Sequence, residues 1–114
     1  MGEPKYLGAW GVKDWRGSIG LDSMLSDFEI DSVGDFNVLV ARYDQEDYEG
    51  SAFVLLEKEG QLYEVYASHC SCFGLEYQFE PKPVSIDDLK ANLERGYQFD
   101  GCEKEVRDIL ESLA

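Results

Sequence analysis

The residues best suited to chemistry in this sequence are one histidine and three cysteines. His69, Cys70 and Cys72 lie close together, and Cys102 follows near the carboxyl end. Thiolate sulfur and imidazole nitrogen are ligands that zinc prefers, so a helix returning Cys102 to the strand of His69 would assemble four of them. Structural zinc sites usually hold two such pairs, whereas this chain has one Cys-x-Cys pair and one distant cysteine. We therefore expect free thiols and no cofactor, with a small zinc- or thiol-dependent accessory domain as the alternative.

Catalysis by these residues is poorly supported. A nucleophilic cysteine needs a base, and His69 is the only histidine. Neighbouring residues on a strand point to opposite faces, so His69 is badly placed to serve Cys70. The amino-terminal glycines do not form a phosphate-binding loop. Carboxylates are too numerous for one pair, such as Glu76 and Glu80, to stand out as acid and base. The sequence predicts a protein that is not an enzyme.

Negative charge is the dominant feature of the composition. The 114 residues include 24 Asp and Glu against 10 Lys and Arg, a formal net charge of -14. Such a field repels phosphate backbones and anionic membranes, so we expect no direct nucleic-acid or membrane binding. It attracts basic surfaces, of which nucleic-acid-binding grooves are a common kind. Acidity that serves only solubility is the simpler reading and stays open.

The excess charge is concentrated between Gly17 and Glu57, where ten acidic residues face only Arg42 and which carries -9 of the total. Carboxylates on a fixed scaffold can imitate a phosphate backbone, because a basic groove recognises spaced negative charge. The residues predicted to contact a partner are Asp22, Asp27, Glu29, Asp31, Asp35, Asp44, Glu46, Asp47 and Glu49. For residues 44–49, a solvated turn is the alternative, and calcium binding fits poorly because the spacing of an EF-hand is missing. Binding through the aromatic residues Tyr6, Trp10 and Trp15 is a further possibility.

The elements that must position these residues make one domain over 1–114. Hydrophobic residues are 44% of the chain, too many for a disordered acidic tail. No apolar stretch approaches the roughly 20 residues of a membrane helix, and the amino terminus lacks the pattern of a signal peptide. An odd number of cysteines without secretion favours a reducing cytoplasm.

Hydrophobic periodicity predicts three helices. Apolar residues at Leu21, Met24, Leu25 and Phe28 have the spacing of one helical stripe. A second helix begins after the capping residue Ser85 and ends by Gly96, and a third covers about residues 103–113. The first twenty residues, rich in glycine, are expected to form a loop or an irregular edge.

Three strands are predicted between these helices. Residues 36–43 form the first, and residues 51–58 and 61–67 form a hairpin around Glu59-Gly60. Pro81 and Pro83 predict an extended connection that belongs to no strand. The expected fold is α+β: a three-stranded antiparallel sheet with about three helices packed on one face.

Residues 47–95 resemble small uncharacterised proteins encoded by bacteriophages and prophages. The resemblance rests on a Tyr-Glu-Gly start, a hairpin, a His-Cys-Ser-Cys-aromatic-Gly-Leu-Glu run and an aromatic-x-Pro segment; these are Tyr48–Gly50, Leu62–Val65, His69–Glu76 and Phe79–Pro81. Phe73 and Phe79 stand where tyrosine and tryptophan are usual.

The resemblance implies a phage provenance and carries no known chemistry. Small acidic phage proteins are often inhibitors of host defence, including anti-CRISPR and anti-restriction proteins. Resemblance and charge together imply a binding protein in the bacterial host cytoplasm that occupies a basic surface of a host protein or nucleoprotein complex.

Overall fold

The computed structural model describes residues 4–46, 49–69, 74–95 and 102–113, with the backbone alone at residues 45, 46, 49 and 113. The sheet follows the order of the chain: β1 Lys5–Gly8, β2 Asn37–Glu46, β3 Glu49–Lys58, β4 Gln61–His69 and β5 Lys82–Val84. β1 is parallel to β2, and the other neighbours are antiparallel. The helices are α1 Leu21–Phe28, α2 Ile86–Glu94 and α3 Glu103–Leu113, with a 3-10 turn at Ala9–Gly11. None of the described helices is both long and apolar enough to cross a membrane.

The expected α+β class and its three helices are confirmed within these residues, but the three-stranded antiparallel sheet is wrong. The sheet is mixed and has five strands. The two that the sequence did not predict, β1 and β5, are short edge strands in segments that were expected to be loop. Gly8 pairs with Tyr43 at a φ of 67°, and a Cβ there would lie 2.1 Å from the Tyr43 carbonyl oxygen. Glycine therefore permits β1 to pair. Pro83 lies in β5, an edge strand where its missing N–H is tolerated.

The expectation that all helices pack on one face of the sheet is also wrong. Met24 and Phe28 of α1 pack on one face, while Leu89 of α2 and Leu110 of α3 pack on the other. The residues 52–56 of β3 are all buried, because alternate side chains enter the two cores. An unbroken apolar run is typical of a strand covered on both sides.

Local geometry then fixes which side chains of β2 point to each helix layer. A bulge between Val38 and Val40 places Leu39 and Val40 together in the core beneath α2 and α3. Beyond the bulge, Tyr43 points to the α1 face. The predicted hairpin between β3 and β4 is confirmed, with positive φ at Glu59 and Gly60.

Candidate partner-binding surface

Four of the predicted contact residues form an exposed acidic surface around α1 and its connection to β2. We call Asp22, Glu29, Asp31 and Asp35 the acidic corner. Asp22 lies in the first turn of α1 and Glu29 caps its carboxyl end, seven residues later. No side chain of the acidic corner forms an ion pair with a described basic residue. Its charge is therefore available to a partner.

Asp27 belongs to the interior scaffold as much as to the surface. One carboxylate oxygen accepts a hydrogen bond from Trp10 Nε1 at 2.8 Å, and the other pairs with Arg16 at 2.9 Å. Its charge is therefore already partly matched within the protein. Sequence reasoning could not separate Asp27 from its neighbours on α1, since both partners come from a loop that was expected to be irregular.

Asp44 does not join the acidic corner. It pairs with the buried side chain of Arg42, which follows the bulge onto the face covered by α2 and α3. Asp35 precedes the first residue of β2 and Asp44 lies near its end, so about 30 Å separates them along the strand. The side chains of Glu46 and Glu49 and the whole of Asp47 lie outside the described residues. The structure thus exposes four of the nine predicted residues on α1 and its connection to β2, pairs Asp27 and Asp44 with arginines, and leaves the other three side chains outside the described residues.

An apolar groove of about 360 Å³ lies beside the acidic corner. Its lining includes Tyr6, Leu21, Val33 and Phe36. Three residues of the acidic corner are close in sequence to this lining, since Asp22 follows Leu21, Asp31 precedes Val33 by two residues, and Asp35 precedes Phe36. Burial and the nearby Asp22 carboxylate both raise the pKa of Tyr6. This combination suits a ligand with positive charge and an aliphatic part.

The three aromatic residues considered for binding are separated by the fold. Trp10 is 0% exposed and contacts the rings of Phe28 and Tyr43, so it is a core residue. Tyr6 is half-buried against the same core. Trp15 is 91% exposed. Only Trp15 among them is displayed fully to solvent.

Asp14, which sequence reasoning did not single out, organises the loop that carries Trp15. Its carboxylate accepts hydrogen bonds from the backbone N–H groups of Arg16 and Ser18 and from Ser23 Oγ, each at 2.9 Å. The Arg16 guanidinium also donates to it at 2.6 Å, and these donors, Arg16 foremost, hold the pKa of Asp14 well below its usual range. Asp14, Gly17 and Ser18 are residues typical of turns, and this signal could have identified the role of Asp14 from the sequence.

The described members of the histidine and cysteine cluster, His69 and Cys102, are not brought together. His69 contacts the ring of Tyr43 on the α1 face, whereas Cys102 is buried in the core beneath α2 and α3. The sheet separates them, and Cys70 and Cys72 lie outside the described residues. Among described side chains, no three His, Cys, Asp or Glu are grouped as metal ligands. Burial raises the pKa of the Cys102 thiol to about 11, which disfavours the thiolate needed for attack.

The chain was compared with protein families, curated proteins and solved structures. No protein-family model, curated protein or solved structure matches the chain.

Proposed function

We propose that this protein is a non-enzymatic binding protein whose acidic corner docks on a basic surface of a partner. The observation that carries the proposal is the set of four exposed carboxylates without a described internal cation. Because the net charge is -14, the long-range field reinforces the local one and favours encounter with a basic protein. The partner class we propose is a nucleic-acid-binding complex of bacterial host defence, which the protein inhibits by taking the place of the phosphate backbone.

The cost in stability of holding the Glu29 carboxylate at the end of α1 supports this proposal. Glu29 ends α1 at a φ of 55°, in the left-handed region that favours glycine. A negative side chain at a helix carboxyl end is also opposed by the helix dipole. Glycine or a basic residue would suit the fold better at this position, and we attribute the glutamate there to binding.

Charge reversal tests the proposal. The corner variant carries Asp22→Lys, Glu29→Lys, Asp31→Lys and Asp35→Lys. The control carries Asp87→Lys, Glu94→Lys, Asp108→Lys and Glu111→Lys, four exposed acids on α2 and α3. Both variants have the same net charge, so a difference between them reports position.

Affinity capture from the bacterial host, at low and high salt, supplies the readout. We expect the wild type and the control to retain a nucleic-acid-binding complex that DNA displaces, and the corner variant to lose it. Raising salt from about 50 to about 200 mM should weaken the complex at least tenfold, because several charge contacts are screened. Retention by the corner variant, or a complex insensitive to salt, would overturn the proposal.

A further inference from the structure

The exposed apolar side chains of this protein are concentrated in one short segment. Among the described residues five large hydrophobic side chains are exposed, and four of them lie within residues 12–21: Val12, Trp15, Ile19 and Leu21. Exposed apolar residues scattered singly are ordinary, but a local group of them marks an interaction surface. We call residues 12–19 the Trp15 loop.

The Trp15 loop is held in one conformation by its own hydrogen bonds. Its base closes where Gly20 N–H donates to the Trp10 carbonyl at 2.9 Å, and its middle closes where Asp14 N–H donates to the Ser18 carbonyl at 2.9 Å. The Asp14 carboxylate adds the contacts described above. Because the loop is ordered before binding, a partner would gain the contact area of Trp15 with little loss of conformational entropy.

We propose that the Trp15 loop is the anchor of the partner interface, and that it binds aliphatic side chains on a cationic, amphipathic segment of the partner protein. This inference rests on the proposed function, since it gives the basic partner an apolar contact. Tryptophan is the residue most enriched among those that dominate binding energy at interfaces. The apolar surface identifies the aliphatic part of the ligand.

Charge complementarity identifies the cationic part. Leu21 at the edge of the Trp15 loop is followed by Asp22 of the acidic corner, so the apolar and acidic surfaces adjoin. Within the Trp15 loop the Arg16 guanidinium is neutralised by Asp14 and Asp27, whereas Lys13 is exposed and has no ion pair with a described residue. The attraction for a cation therefore comes from the acidic corner and the net charge of the protein. An anionic membrane surface would meet the full repulsion of the protein's charge.

Two synthetic peptides serve as probes of the full-length protein. Both have the same length and the same lysines at helical spacing, and the positions between carry leucine in one and serine in the other. Calorimetry at low salt measures both affinities. We expect the leucine peptide to bind the wild type about tenfold more tightly, and Trp15→Ala to abolish that preference.

The controls separate the anchor from the acidic corner. Tyr77→Ala removes an equally exposed aromatic side chain, at 93%, and should leave the preference unchanged. The corner variant should bind both peptides more weakly, by the same factor, and its affinity for them should depend less on salt. Asp14→Ala removes the carboxylate that accepts the loop's hydrogen bonds and keeps Trp15, so we expect it to reduce the preference for leucine.

Each contrary result has a defined meaning. Equal affinity for the two peptides, or a preference that survives Trp15→Ala, overturns the anchor while the acidic corner stands. If neither peptide binds, the proposed function fails with it. A blue shift of tryptophan emission on phosphatidylcholine vesicles that is absent in Trp15→Ala would show that the loop binds a membrane. Dimers in sedimentation that Trp15→Ala removes would show that it binds a second copy. Either result overturns the inference.

Discussion

The helices α1 and α2 cover opposite faces of the same sheet and are capped differently at their two ends. α2 begins at Ser85, whose Oγ accepts a hydrogen bond from Asp88 N–H at 3.0 Å, carries Asp87 and Asp88 in its first turn, and ends at Arg95. The cap and the two acids of the first turn agree with the polarity of a helix, whereas the last turn ends in Glu94 and, like that of α1, holds no basic residue. α1 begins at Gly20 without a side-chain cap and ends at Glu29 with a positive φ.

The difference indicates which side of the molecule is shaped by a requirement other than folding. α2 has a side-chain cap, whereas α1 has none and places a charged residue where its left-handed end favours glycine, so α1 depends more on its packing. For α1 that packing is aromatic: Phe28 contacts the rings of Trp10 and Phe79 at 5.7 and 5.3 Å. The acidic corner and the Trp15 loop both rest on this aromatic core.

The largest effect is expected from removing the aromatic support of α1. Trp10→Ala opens a large cavity and deletes the hydrogen bond to Asp27, so we expect it to lower the free energy of unfolding by about 4 kcal/mol. Leu89→Ala, beneath α2, should cost about 3 kcal/mol. Urea denaturation followed by circular dichroism measures both.

Trp15→Ala is the matched control for Trp10→Ala, since both remove an indole from the same segment. The exposed side chain should change the free energy of unfolding by less than about 0.5 kcal/mol. If the two tryptophan variants were equally destabilised, the division between a supporting and a displayed tryptophan would be wrong.

A smaller effect is expected at the amino end of α2. Ser85→Ala removes the side-chain acceptor of the cap, and we expect it to lower the free energy of unfolding by about 1 kcal/mol. Ser85→Asp should preserve stability, because aspartate also caps helices. A loss from Ser85→Asp as large as that from Ser85→Ala would show that α2 does not depend on its cap.

Sequence reasoning found the elements whose patterns are long and regular, and it missed those whose patterns are short or ambiguous. The stripe of α1, the Glu59-Gly60 turn and the cap at Ser85 each carry a local signal. β1 has four residues and β5 three, and Gly8 and Pro83 resemble loop residues. The pairing that makes them strands comes from distant residues such as Tyr43 and Tyr63.

The candidate site was predictable to the same degree. Exposure of Asp22, Glu29, Asp31 and Asp35 follows from their places on the polar side of α1 and in a loop. The contacts that neutralise Asp27 and Asp44 depend on Trp10, Arg16 and Arg42. The bulge between Val38 and Val40 determines which face of the sheet Arg42 occupies, and no short sequence pattern predicts that bulge.

The smallest expected effect is a gain in stability at the carboxyl end of α1. Glu29→Gly relieves the left-handed backbone and removes the charge opposed by the helix dipole, so it should raise the free energy of unfolding by about 0.7 kcal/mol. Glu29→Gln removes the charge alone and should gain less stability.

Both variants of Glu29 should bind the leucine peptide more weakly, because the acidic corner has lost one carboxylate. Stability measured in urea and affinity measured by calorimetry would then move in opposite directions, as expected for a residue kept for binding at a cost to the fold. If Glu29→Gly destabilised the protein, the carboxylate would have a role inside the fold, and α1 and α2 would differ less than their caps indicate.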